Sequence, residues 1–218
     1  MVFTAEGPKP HVLMIHGFKR QAGQLTPWRE RIPGLGLMHL PGHSRAPELS
    51  ELSLAAWIEG LRQVVAIAFP EPPLIIAESL GAVLAMNLPA RALIAVEPLL
   101  STDNLWPLRR TIRNARAKGV EIRPEEEALF DAPFHWVLDK IAAPTLVLAG
   151  DVPLLPERDV RPEPSLITDA DFAAYAAHPL VEAHRIAGGH TLLDHNRDGV
   201  MAAAAPFMAK HGFLDPSL

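Results

Sequence analysis

The chain has 218 residues, enough for one domain with a sizeable core and marginal for two. Its composition, 49% apolar and 21% charged, is that of an ordinary globular protein, and a net charge of −5 argues against a general nucleic-acid binder. It contains no cysteine, which excludes disulfide frameworks, thiolate metal sites and cysteine nucleophiles.

The opening stretch MVFTAEGPKPHVLMIHGF lacks a basic segment followed by a long apolar one, so no signal peptide is expected. No apolar run approaches the ~20 residues of a membrane span, and a cytoplasmic location without a membrane partner is expected. The prolines are scattered apart from a cluster at Pro153 to Pro164, which predicts many turns and one irregular loop.

In chain order, short apolar runs alternate with longer amphipathic stretches. His11–Gly17 (HVLMIHG) and Gly36–Gly42 (GLMHLPG) read as strands, each ending in a turn. Ser53–Phe69 reads as a helix with Ser53 as its N-cap. Leu74–Ala77 is a short buried strand, and Leu80–Leu88 is a helix stopped by Pro89. Ala92–Pro98, Thr145–Asp151 and Glu182–Gly188 are further strands. Asp171–Ala177 is a short helix capped by Asp169, and Asn196–His211 is a C-terminal helix that Pro206 can kink. Near-continuous apolar strands alternating with helices predict a doubly wound α/β fold, mainly parallel, with helices on both faces. Residues 99–143 break the rhythm. They carry a polar helix at Trp106–Lys118 and the acidic run Glu125-Glu126-Glu127, and are expected to form a small helical excursion, a reduced lid, on a single domain spanning residues 1–218.

Four junctions fall just past predicted strand ends: His16-Gly17-Phe18, Ser79, Asp151, and His190 in AGGHTLLDH. In a parallel sheet these ends share one edge, where ligands bind, so a nucleophile, an acid and a base from distant parts of the chain can meet there. Ser79 lies between a strand and a helix with small neighbours, Ala77 and Gly81, as a sharp strand-to-helix turn requires. The structural alternative is a serine that caps the following helix.

These pieces together resemble the α/β-hydrolase superfamily over nearly the whole chain, from His11 to the C-terminal helix. They are HG after the first strand, LPGHSRAP after the second, AESLG at the elbow, PTLVLAGD and GGHTLL, in the family's order. Only ten residues precede His11, so the first two strands of the family's sheet lack counterparts and a sheet of about six strands is expected. The family's G-x-S-x-G reads Ala77-Glu78-Ser79-Leu80-Gly81 here, with a methyl group as the departure.

The resemblance implies Ser79 as nucleophile and His190 as base, with backbone N–H groups of Phe18 and Leu80 forming an oxyanion hole and His16 structural. It leaves the acid open between Asp151, which is preferred, and Glu97, since some members such as haloalkane dehalogenases carry the acid one strand earlier. Asp103 is a weaker version of the same idea. Glu78 is expected to point away from the site. Lys19 and Arg20 can grip an anionic substrate or form a solvated basic turn, and the second is preferred. His43 and Arg45 are expected to be structural, and His195 is expected on the surface of the following helix. The four tryptophans are expected in packing, with Trp106 and Trp136 able to line a pocket. No phosphate-binding glycine loop or metal-ligand spacing occurs, so neither cofactor nor metal is expected.

The implied function is a serine hydrolase acting on a small-molecule carboxylic ester or thioester. The alternatives are C–C bond hydrolysis, acyl transfer or lyase chemistry at the same site, or a catalytically silent binding protein on this fold.

Overall fold

In the computed structural model, which describes residues 2–5, 10–44, 46–158 and 162–214, every predicted strand forms. The strands are β2 (Val12–Ile15), β3 (Leu35–His39), β4 (Leu74–Glu78), β5 (Ala92–Val96), β6 (Thr145–Gly150) and β7 (Val181–Ile186). A further strand, β1 (Val2–Ala5), makes the sheet seven-stranded, in the order β1-β3-β2-β4-β5-β6-β7. The expected six strands are therefore one too few. β1 pairs antiparallel with β3 and extends the outer edge, while all other pairings are parallel. Its four residues, VFTA, are too short to carry a readable period.

The central strands are apolar throughout because both faces are covered. Leu13, Ile15, Ile75, Ala77, Leu93, Ala95 and Val147 face one core, while Val12, Met14, Leu74, Ile76, Ile94, Leu146 and Leu148 face the other. The first core is closed by helix α1 (Leu54–Ala68) through Trp57, Leu61 and Val65, and by α2 (Leu80–Ala85). The second is closed by Trp28, from a 3₁₀ segment at Ala22–Glu30, and by Val200, Ala204 and Phe207 of the C-terminal helix. β7 is an edge strand whose exposed residues Glu182 and His184 alternate with half-buried ones.

Helix boundaries follow local chemistry. The Ser53 hydroxyl accepts the Ala56 N–H, which starts α1 as expected. Between α2 and β6 lie α3 (Trp106–Ala117), α4 (Pro124–Ala128) and a 3₁₀ segment at His135–Lys140. Helix α5 (Asp169–Ala176) begins two residues earlier than expected. Thr168, not Asp169, is its cap, in a reciprocal pair with Asp171. Two helices follow β7: α6 (Leu192–His195) and α7 (Arg197–Lys210), the latter capped by Asn196.

β2 lies between β3 and β4, so the chain runs outward on one side and then returns to the other. That reversal opens a crevice at the C-terminal ends of β2 and β4, where Gly17 and Ser79 emerge. Arg45 lies outside the described residues.

Candidate active site

The strand-to-helix turn at Ser79 is sharp and strained. Ser79 has φ 53° and ψ −127°, a region L-residues rarely occupy, and its N–H donates to Val96 O at 2.9 Å. This turn needs close approach between α2 and β2. A Cβ on Gly81 would lie 2.4 Å from His16 O, so no side chain fits there. Ala77, fully buried in β4, shows that one methyl group is accommodated at the position where the family motif has glycine.

The loop after β2 is held by two imidazoles. Leu40 N–H donates to His16 Nε2 at 3.2 Å, while His16 Nδ1 donates to Gly17 O at 2.8 Å. An imidazole that accepts at one nitrogen and donates at the other is neutral, and burial lowers the His16 pKa to about 3. His43 repeats the arrangement: it accepts Lys19 N–H at Nε2 (3.0 Å) and donates from Nδ1 to Pro41 O (2.8 Å). Burial lowers its pKa as well. Lys19 itself has φ 60°, and its ammonium pairs with Glu126 on α4 at 2.6 Å.

His190 follows two glycines after β7. A Cβ on Gly189 would lie 1.8 Å from Glu163 O, so this close approach admits only glycine. The His190 N–H donates to Pro164 O, and Nδ1 lies 3.2 Å from Glu97 Oε2. Glu97 is fully buried at the end of β5, with φ 54°. Its Oε1 accepts Gly150 N–H at 2.6 Å and Ser165 O–H at 2.7 Å, and Oε2 also accepts Leu166 N–H at 2.7 Å. Burial alone would raise its pKa. The hydrogen bond and charge of His190, with the Gly150 and Ser165 donors, outweigh that and hold the carboxyl below its usual range. For His190, burial alone would lower the pKa, but the carboxylates of Glu97, Glu78 and Glu163 raise it.

Asp151 is not brought to His190. It is exposed, and its carboxylate accepts Gly188 N–H at 3.0 Å. The preference for Asp151 over Glu97 therefore gives way. The chain turns directly after Gly150, and Asp151 braces the loop leading to His190 instead of reaching round to the imidazole. Asp103 is exposed in the turn before α3.

Ser79 and His190 both line a cavity of about 230 Å³. Its walls are mostly apolar: Phe18 and Leu166, with Leu99, Pro107, Leu108 and Phe130 from residues 99–143. Trp106 does not line it. Its indole N–H donates to Leu154 O, while Trp136 lines a separate groove with Leu52 and Phe134.

Glu78 was expected to point away, but it forms part of the cavity wall. Its Oε1 accepts Gly17 N–H at 3.1 Å and its Oε2 pairs with Arg20 at 2.8 Å. Arg20 is not the solvated turn residue that was expected, since its side chain is only 15% exposed. A charged residue flanking a motif serine carries no sequence signal of direction; only the register of the elbow sets it.

No protein-family model matches the chain, and no curated protein does. Solved structures do. The chain is similar to an E-2-(acetamidomethylene)succinate hydrolase at 12% identity and TM-score 0.75, covering 94% of each chain. It is similar to a hydrolase from Oleispira antarctica at 15% identity and TM-score 0.71, covering 95% of this chain and 93% of the other. It is similar to the thioesterase domain from the curacin biosynthetic pathway at 17% identity and TM-score 0.62, covering 92% and 93%. The seven-stranded, mainly parallel sheet flanked by helices and these likenesses agree: the chain has the α/β-hydrolase fold.

Proposed function

We propose that the chain is a serine hydrolase that cleaves a small carboxylic ester or thioester through an acyl-enzyme, with Ser79 as nucleophile, His190 as base and Glu97 as acid. One observation carries the reading. Ser79, on a strained turn, shares a cavity wall with a histidine whose Nδ1 meets a buried carboxylate held below its usual pKa range. A serine hydroxyl attacks a carbonyl carbon, which points to acyl chemistry.

In this mechanism Ser79 Oγ bonds to the carbonyl carbon and its proton passes to His190 Nε2. Glu97 accepts from Nδ1 and stabilises the imidazolium. The tetrahedral oxyanion receives the backbone N–H groups of Phe18 and Leu80. Collapse breaks the bond to the alkoxide or thiolate, which leaves with the proton from His190. Water then repeats the sequence on the acyl-enzyme and releases the acid. Residues 99–143 act as a small lid that supplies apolar wall, and the wall suits an uncharged acyl group. The thioesterase and hydrolase names among the similar structures are compatible with this chemistry.

The test is fluorophosphonate labelling with peptide mass analysis, alongside turnover of p-nitrophenyl acetate and butyrate. A label on Ser79 with turnover, both lost in Ser79→Ala, is the expected result. A folded protein that takes no label would overturn the reading.

A further inference from the structure

Three separate segments carry the oxyanion loop, the nucleophile and the base: the loop His16–Arg20, the elbow Glu78–Leu80, and the stretch His190–His195. One guanidinium touches all three. Arg20 belongs to the first, its Nη1 lies 2.8 Å from Glu78 Oε2 in the second, and its Nη2 lies 2.9 Å from Asp194 in the third. Glu78 is next to Ser79 in sequence, and its other oxygen accepts Gly17 N–H, one residue before the Phe18 donor. Asp194 sits on α6, one turn after His190. The side chain of Glu78 is 4% exposed and that of Asp194 30%. A planar guanidinium with two carboxylates at fixed angles transmits position, not only charge. Both terminal nitrogens of Arg20 are engaged by protein carboxylates, so its charge is matched within the protein.

We infer that Arg20, held between Glu78 and Asp194, is a positioning residue that sets the oxyanion loop and the His190 loop in register with Ser79. The inference rests on the serine-hydrolase reading. The charged groups that act on His190 are Glu97 from β5, Glu78 from β4 and Glu163 from the loop before α5, and Arg20 counters Glu78. A purely structural ion pair would change melting temperature without moving the titration of His190.

The experiment compares fluorophosphonate labelling rate, kcat and KM for p-nitrophenyl butyrate, and the pH profile of kcat/KM. The proteins are the wild type, Arg20→Gln, Arg20→Lys, Glu78→Gln and Asp194→Asn, with folding checked by circular dichroism. Arg20→Gln is expected to lower labelling rate and kcat by about ten- to a hundredfold, the scale of a small misplacement, with KM little changed. Its acid limb should shift, because Glu78, whose carboxyl burial already pushes up, loses its counter-charge, whereas that of Glu78→Gln should move down. Arg20→Lys should recover part of the rate. If Arg20→Gln does not fold, Asp194→Asn, at a partly exposed position, carries the same comparison. Folded variants that label at the wild-type rate, with the acid limb unmoved, would overturn this inference alone. An unlabelled wild type would overturn the serine reading and this inference with it.

Discussion

Glu97 Oε2 lies 3.2 Å from His190 Nδ1, although the two residues are 93 positions apart in the chain. Glu97 also accepts three other hydrogen bonds, from Gly150 N–H, Ser165 O–H and Leu166 N–H. Each carboxylate oxygen meets two donors, so an amide NH₂ in place of either would face two of them.

Glu97→Gln is therefore expected to damage the protein twice. Activity should fall on the order of 10³–10⁴-fold, because the imidazole loses the group that fixes its tautomer and stabilises its charge. Stability should fall by about 3 kcal/mol, because a buried ion pair loses one partner. Asp151→Asn should stay within a few-fold in kcat/KM, since an amide oxygen can still accept Gly188 N–H. Steady-state kinetics and urea melts on both variants check this, and equal mild effects would remove Glu97 as the acid.

The pH dependence follows from the same pair. His190 must be neutral to accept the Ser79 proton, so kcat/KM should fall with acidification through a pKa above the ordinary imidazole value of 6.5. Stability runs the other way. A raised folded pKa means the His190 contribution is complete below 6.5 and is lost as pH rises through the folded value. The depressed Glu97 contributes above its ordinary 4.5, and that contribution is lost as pH falls through its folded value. The pair thus stabilises most between these ordinary values, and activity should still be rising where its stabilisation declines. Melting temperature and kcat/KM measured over one pH series test this; an acid limb below 6.5 would contradict the pairing.

The elbow makes opposite demands at its two small residues. Gly81→Ala should cost roughly 1–3 kcal/mol or more, because the added methyl group meets the backbone carbonyl of His16, which cannot move aside. Ala77→Gly should cost only about 1 kcal/mol, from backbone entropy in a strand, and keep activity within a few-fold. Chemical denaturation of both variants tests the contrast, and a well-tolerated Gly81→Ala would mean the turn is looser than described.

The cavity wall supplied by residues 99–143 predicts acyl-chain selectivity. Phe130 packs edge-on against Phe18, with ring centroids 5.2 Å apart, and both close the cavity. Phe130→Ala should raise the ratio of kcat/KM for p-nitrophenyl octanoate over acetate by several-fold. An unchanged ratio would place the acyl group elsewhere.

The sequence by itself determined the alternation of elements, six of the seven strands, and the cluster of candidate groups at one sheet edge. It could do so because strands covered on both faces must be apolar throughout, and because an elbow tolerates only small neighbours. It did not determine which carboxylate meets His190. Asp151 and Glu97 both follow apolar strands, and a difference of one or two residues in a loop decides which one turns inward. Nor did it reveal Glu78, Arg20 and Asp194 as one unit. Ion pairs across 58 and 174 positions leave no local period, and only the packing of three strand ends brings them within 3 Å. Local pattern records which face a residue shows to the core. Contacts between loops depend on backbone direction at each strand's end, and that is set by tertiary packing.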